Sequence, residues 1–194
     1  MIVGLTGQSG AGKTCVSAMF AEHGFYVINA DEVSREVTRK GTPCLDEIVQ
    51  HFGQHILLPD GNMDRKAVGN IVFSDRQKLK ELEGIIFPYI IKNIMEKADS
   101  HPDRDILLDA PTLFEAGLEN ICTCTVAVTA DREQRLRRII ERDGITAESA
   151  LKRIDSQRDE SFFRERCDHV IDNSTTKEEL EMKTKAVIDK ICSL

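Results

Sequence analysis

Apolar residues along the chain gather into five short runs, separated by stretches in which they recur at helical spacing. Residues 2–6 form an apolar run that ends in a glycine-rich turn, and residues 14–23 then carry apolar side chains at helical intervals, predicting strand, loop and helix. Residues 25–28, 105–109, 123–128 and 169–172 predict four further strands. Helical patterns fall between them, notably over residues 130–142, 147–157 and 176–191. This alternation predicts an α/β fold, a five-stranded parallel sheet flanked by helices. Between the second and third strands, residues 42–100 read as helices broken by Pro43, the Asp60-Gly61 turn and Pro88, which predicts an inserted helical lobe. No internal repeat or low-complexity segment interrupts the pattern.

The turn after the first strand carries the clearest chemistry. Gly7-Gln-Ser-Gly-Ala-Gly12-Lys13-Thr14 matches Gly-x-x-x-x-Gly-Lys-[Ser/Thr], and it follows a predicted strand and opens a helix, as a phosphate-binding loop requires. Glycines let successive backbone N–H groups face a polyphosphate without side-chain clash, while the following helix aims its positive dipole end at the same charge. Lys13 is placed to reach the β and γ phosphates and the Thr14 hydroxyl to ligate the Mg²⁺ that bridges them, so the motif predicts MgATP binding.

Phosphate binding alone does not separate a kinase from a nucleotide switch or a hydrolase. Asn29-Ala30-Asp31 follows the second strand, where open α/β sheets place ligands, with Arg35 one helical turn on. A carboxylate there can hold an acceptor hydroxyl in line with the γ phosphate, or Asp31 can simply cap the helix that begins near Glu32. Asp109 ends a mostly apolar strand, a position from which a carboxylate holds the metal's water shell, and the alternative is a turn-forming Asp before Pro111. Arg132, Arg135, Arg137, Arg138 and Arg142 crowd one predicted helix, and Arg135, Arg138 and Arg142 share a face. That face can clamp phosphate oxygens, but the interleaved Asp131, Glu133, Glu141 and Asp143 favour a solvated, salt-bridged surface for any one of these arginines.

Composition narrows the partners. The 194 residues suit one well-buried domain with an inserted lobe. Lys and Arg total 26 against 33 Asp and Glu, a net charge of 26 − 33 = −7, which argues against nucleic acid as a partner. The six cysteines lack paired zinc-ligand spacing and read as free, reduced thiols. Met1 leads straight into Ile-Val-Gly-Leu-Thr without a basic region or small-residue cleavage site, and no apolar run approaches membrane-spanning length. The expectation is a cytoplasmic protein that works on small molecules, with no membrane and no obligate protein partner implied.

Taken in order, these segments resemble the dephospho-CoA kinase family over nearly the full length. The resemblance rests on Gly-Leu-Thr-Gly and the phosphate loop at residues 4–14, Asn29-Ala30-Asp31 with Arg35, and Gly61-Asn-Met-Asp64-Arg65. It continues through the Leu-Glu then apolar-Pro stretch ending at Pro88, Asp109 to Glu115, Arg142-Asp143, Arg153-Ile154 with Gln157, and Val170-Ile-Asp-Asn173. It implies phosphorylation of the ribose 3′-hydroxyl of dephospho-CoA by ATP, the last step of coenzyme A synthesis. It also implies an adenylate-kinase-like P-loop kinase fold, with a helical acceptor lobe at residues 42–100 and a lid at residues 131–166. By carry-over, Lys13, Asp31 and Arg142 are catalytic, and Gly10, Ala11, Gly12, Lys13, Thr14, Cys15 and Asn173 bind ATP, with Asn173 near the adenine. Asp31, Arg35, Arg65, Phe87, Pro88, Asp109 and Leu113 bind the acceptor, and Thr14 and, through water, Asp109 serve the metal. Three positions depart from the family pattern: Asn29 replaces an Asp, Thr112 a Leu and Phe87 a His. Nucleoside monophosphate kinases are similar in architecture but usually carry Arg where Thr112 stands, and the guanine-reading Asn-Lys-x-Asp motif of GTPase switches is absent.

Overall fold

Five strands order the molecule, and their sequence explains why they are central. In the computed structural model, which describes residues 1–72 and 74–193, β1 (Ile2–Gly7) and β4 (Cys124–Thr129) are buried along nearly their whole length. Near-continuous burial of this kind marks strands covered on both faces, so their residues are apolar or small rather than alternating. The sheet runs β2-β3-β1-β4-β5, with β2 at Tyr26–Asn29, β3 at Ile106–Asp109 and β5 at His169–Asp172. The β1–β3, β1–β4 and β4–β5 pairs are parallel, with Leu5 opposite Asp109 and Val3 opposite Cys124. All five predicted strands are present, and each lies within a residue of its expected bounds.

Two compact units divide the chain. The first, Met1–Ile28 with His101–Leu194, holds α1 (Lys13–Glu22), α6 (Arg132–Asp143), α7 (Ala147–Asp155), α8 (Glu160–Arg166) and α9 (Lys177–Ile191). Its core joins Val3, Leu5, Phe20, Leu107, Val126 and Ile171 to Leu180, Ile188 and Ile191 of α9. Phe20 and Phe25 meet edge to face with centroids 5.0 Å apart. A smaller apolar cluster of Ile139, Ala150 and Ile154 holds α6 to α7.

The second unit, Asn29–Ser100, is helical: α2 (Ala30–Val37), α3 (Pro43–Phe52), α4 (Arg65–Val72) and α5 (Arg76–Asp99), the last packing against the other three. The segment expected as an inserted lobe, 42–100, falls inside this unit, which also takes in α2. Pro43 sits in the first turn of α3, where its missing N–H costs nothing, and Thr42 caps that helix. Pro88 was expected to end a helix and does not: α5 runs unbroken through it for 24 residues. Pro88 removes the hydrogen bond to the carbonyl of Gly84, but Gly84 is exposed, so water can serve that oxygen. The cap from Asp75 and the burial of Leu82, Ile90 and Ile94 offset the remaining cost. Among the described residues no helix is long and apolar enough to cross a membrane.

Candidate active site

β1 leads directly into the phosphate loop, and two of its glycines show why no other residue fits. Gly10 and Gly12 have φ of 79° and 96°, in the left-handed region. A Cβ on Gly10 would lie 2.7 Å from the Arg135 carbonyl oxygen, and one on Gly12 2.3 Å from Nδ2 of Asn173. The loop is therefore pressed against α6 and against the residue that follows β5. Among the described residues the N–H groups of Gly10, Gly12, Lys13 and Thr14 find no acceptor, while Ala11 N–H donates to the Gln8 carbonyl at 3.1 Å. A row of open N–H groups at the start of α1 is the local requirement for holding a polyanion.

Lys13 forms an ion pair with Asp109, the last residue of β3, and the carboxylate is only 9% exposed. The Thr14 hydroxyl is exposed and has no partner among the described residues. Around them lies a cleft of about 1100 Å³, bounded by the loop, by Pro111, Thr112 and Glu115 after β3, and by Arg138 and Arg142 of α6. Ser156, Gln157 and Arg158, which connect α7 to α8, complete its wall. Cys15, expected at the nucleotide, directs its side chain to a separate groove between α1 and α9. Its N–H is taken up by the Gly12 carbonyl at 3.0 Å.

The arginine face of α6 is not the solvated surface that its composition favours. Arg135 is 5% exposed and donates from Nε to the Ser9 carbonyl at 3.0 Å and from Nη2 to Gln157 Oε1 at 2.8 Å. Arg138 donates to the carbonyls of Gly10 at 3.3 Å and Asn173 at 3.2 Å. Both therefore hold the loop from behind, and burial keeps the Arg135 guanidinium below its usual pKa, with Arg132 adding to the effect. Arg142 is 60% exposed and pairs with Asp143, which also pairs with Arg153. Those two arginines hold the Asp143 carboxyl far below the usual carboxylate range. Arg137 is exposed on another face.

Two further candidates are engaged in packing. Asn173, expected beside the adenine, is buried, and its Nδ2 donates to the Ala11 carbonyl at 2.7 Å, so its side chain braces the loop. Leu113, expected at the acceptor, is fully buried over Gly4, so its side chain serves the core.

The remaining candidates lie in the helical unit. Asn29, not Asp31, caps α2, its Oδ1 accepting from Glu32 N–H at 3.1 Å. That removes the capping alternative for Asp31, which is exposed without a hydrogen bond or ion pair among the described residues. Arg65 donates to Thr38 Oγ1 at 2.8 Å, and burial together with the nearby Arg35 lowers its pKa. Neither arginine has a carboxylate partner among the described residues. Phe87 is half-buried in α5 and Pro88 beside it is exposed. The sequence reading missed the bracing set of Gln8, Arg135, Arg138 and Gln157. The spacing of Arg135 and Arg138 was the available signal, but nothing local said that this face turns inward.

A phosphate loop between the central strand and its helix, with a lysine and a free hydroxyl at the helix start and a strand-end carboxylate opposite, places the molecule among the P-loop kinases. The sequence model of the dephospho-CoA kinase family matches residues 1–179. Dephospho-CoA kinase of Fusobacterium nucleatum is 39% identical over 191 residues, covering 98% of both chains. Among solved structures, a Thermus thermophilus protein superposes with a TM-score of 0.83 at 30% identity, covering 98% of this chain and 97% of that one. Dephospho-CoA kinase from Campylobacter jejuni gives 0.61 at 25% identity, with 98% and 96% covered. The chain belongs to the dephospho-CoA kinase family.

Proposed function

We propose that this protein transfers the γ-phosphoryl group of ATP to the ribose 3′-hydroxyl of dephospho-CoA, giving coenzyme A and ADP. The observation that carries the reading is the phosphate loop with its open N–H groups and Lys13, set in a chain that matches this family over residues 1–179. In the reaction the hydroxyl oxygen forms a bond to the γ phosphorus as the bridging oxygen to the β phosphorus leaves, and the hydroxyl proton passes towards Asp31. Phosphoryl transfer through a loose transition state needs positioning and charge more than a strong base. The residues are divided accordingly. Lys13 and the loop N–H groups hold the β and γ phosphates, Asp31 orients the hydroxyl, and Arg35 and Arg65 take the acceptor's phosphates. Arg142 acts on ATP from the lid region, residues 131–166.

Mg²⁺ is a hard cation that takes oxygen ligands, and the Thr14 hydroxyl, without a partner among the described residues, with the Asp109 carboxylate paired to Lys13 fits it. It would be held by Thr14 directly and by Asp109 through water, and it supplies neutralisation of phosphate charge. The acidic chain and its small-molecule cleft fit a protein that works alone in the cytoplasm. ADP release measured with dephospho-CoA, AMP, CMP and no acceptor tests the assignment. Turnover with dephospho-CoA alone is expected, and equal turnover with AMP or without acceptor overturns it.

A further inference from the structure

At the wall of the cleft, the phosphate loop exchanges hydrogen bonds in both directions with the connection between α7 and α8. Gln8 of the loop donates from Nε2 to the Arg158 carbonyl at 3.2 Å. Gln157, one residue earlier, returns the contact: its Oε1 accepts from Ser9 N–H at 3.0 Å. Residues 8–9 and 157–158 are thus joined by a reciprocal pair of side-chain-to-backbone bonds. Arg135 closes the arrangement, reaching the Ser9 carbonyl from Nε and the same Gln157 Oε1 from Nη2. Both lone pairs of the Gln157 carbonyl oxygen are used.

The charge balance here is unusual. Arg135 is buried, and its hydrogen-bond partners are neutral oxygens, with no carboxylate partner among the described residues. A glutamate at 157 has the same reach, could accept the same two donors, and would give the guanidinium a counter-charge. The amide makes the contacts and leaves the positive charge uncompensated directly behind a loop built for a polyanion. A buried charge without a partner is costly, and the cost falls when an opposite charge arrives.

We propose that Gln157 is a positioning residue of the ATP site: it fixes the Ser9 peptide without cancelling the charge of Arg135. The positive field behind the loop then remains available to ATP, and the α7–α8 connection moves with the loop as one piece. The proposal rests on the assignment of the loop to ATP.

The test is the pair Gln157→Glu and Gln157→Met, with thermal melting in the absence of nucleotide, calorimetric MgATP titration and the Michaelis constants of both substrates. Gln157→Glu is expected to melt at or above the wild-type temperature while binding MgATP about tenfold or more weakly, as one added negative charge near the phosphates predicts. Its Michaelis constant for dephospho-CoA should stay unchanged. Gln157→Met keeps the charge of Arg135 and removes the acceptor, so it should melt lower but lose less MgATP affinity than the Glu variant. Wild-type affinity in Gln157→Glu, or a loss in Gln157→Met as large as in the Glu variant, overturns the proposal whatever the melting temperatures. Wild-type protein that fails to bind MgATP would overturn the ATP assignment itself, and the proposal with it.

Discussion

The phosphate loop and the Arg35–Arg65 pair, both proposed to take phosphate, are built in opposite ways. Every bend of the loop is backed: Arg135 and Arg138 hold the carbonyls of Ser9 and Gly10, Asn173 holds that of Ala11, and Gln157 holds the Ser9 N–H. In the helical unit, Asp31 and Arg35 are exposed and unpartnered among the described residues, and Arg65 has Thr38 alone. On the proposed assignment, the ATP site is braced before its ligand arrives, whereas the residues proposed for the acceptor have few contacts to hold them. Preorganised charge suits the group that carries the developing charge of transfer. Ordering two long side chains on binding takes free energy from affinity and lets the acceptor's full set of phosphates decide whether it is held.

The sharpest test of the fixed side is Lys13→Ala. Turnover should fall by about a hundred- to a thousandfold or more, because charge stabilisation dominates this chemistry. The variant should stay folded but melt lower, since Asp109 is left buried without its partner, a loss of about 1–3 kcal/mol. Adding Asp109→Asn should restore much of the melting temperature and none of the turnover. Near-wild-type turnover in Lys13→Ala would end the assignment of the ATP site.

Arg135→Ala and Arg35→Ala then compare the two sides directly. The first leaves the Ser9 carbonyl without its side-chain donor and takes one of two donors from Gln157 Oε1, and should cost about 2 kcal/mol in denaturant unfolding. Arg35→Ala should stay within about 0.5 kcal/mol of wild type, as an exposed substitution does. It should instead raise the Michaelis constant for dephospho-CoA by about tenfold, the loss of one charge-assisted contact. Equal stability losses would erase the contrast.

Asp31→Asn should lower turnover at saturating substrates while leaving melting temperature and MgATP binding unchanged, because Asn29 does the capping. Asn29→Ala should do the reverse, costing about 1 kcal/mol of stability. If Asp31→Asn melts lower at unchanged turnover, the two roles are exchanged.

The smallest effect concerns acid. Asp168 accepts from Thr125 N–H at 2.8 Å and from the Thr125 hydroxyl at 2.9 Å, tying the start of β5 to β4. Burial alone would raise its pKa, but these hydrogen bonds outweigh it and the net shift is downward. A depressed carboxylate contributes stability above its unfolded value of about 3.9, and that contribution is lost as pH falls through the folded value. Thr125→Val should therefore cost a few tenths of a kcal/mol at pH 7 and less at pH 3, measured by urea unfolding. A cost independent of pH would exclude the carboxylate.

Where the sequence alone was legible, the signal was local. The five strands follow from apolar runs and the phosphate loop from eight consecutive residues, so no distant contact was needed to read either. What was hidden depended on packing. Pro88 reads as a break, yet the exposure of Gly84 and the cap on Asp75 let α5 continue. The α8 helix is seven residues long, with only the Asp159 cap to announce it. The charged pattern of α6 correctly describes Arg137 and misdescribes Arg135, because a mixed-charge helix does not say which of its faces meets a loop more than a hundred residues away.

The sheet's central strand is also the first to be synthesised. Both neighbours of β1 come late, Ile106 opposite Ile2 and Cys124 opposite Val3, so on the ribosome β1 must wait for over a hundred residues before it has a partner. The helical unit, closed at Ser100, is complete in sequence before either partner is made. Side chains proposed for the acceptor can thus be in place on a nascent chain whose phosphate loop has no sheet to hold it, and Asn173, which supplies the loop's last brace, follows later still. A chain stalled in translation before β3 would carry the nucleotide motif in full with neither the sheet nor any of these braces to keep it in shape.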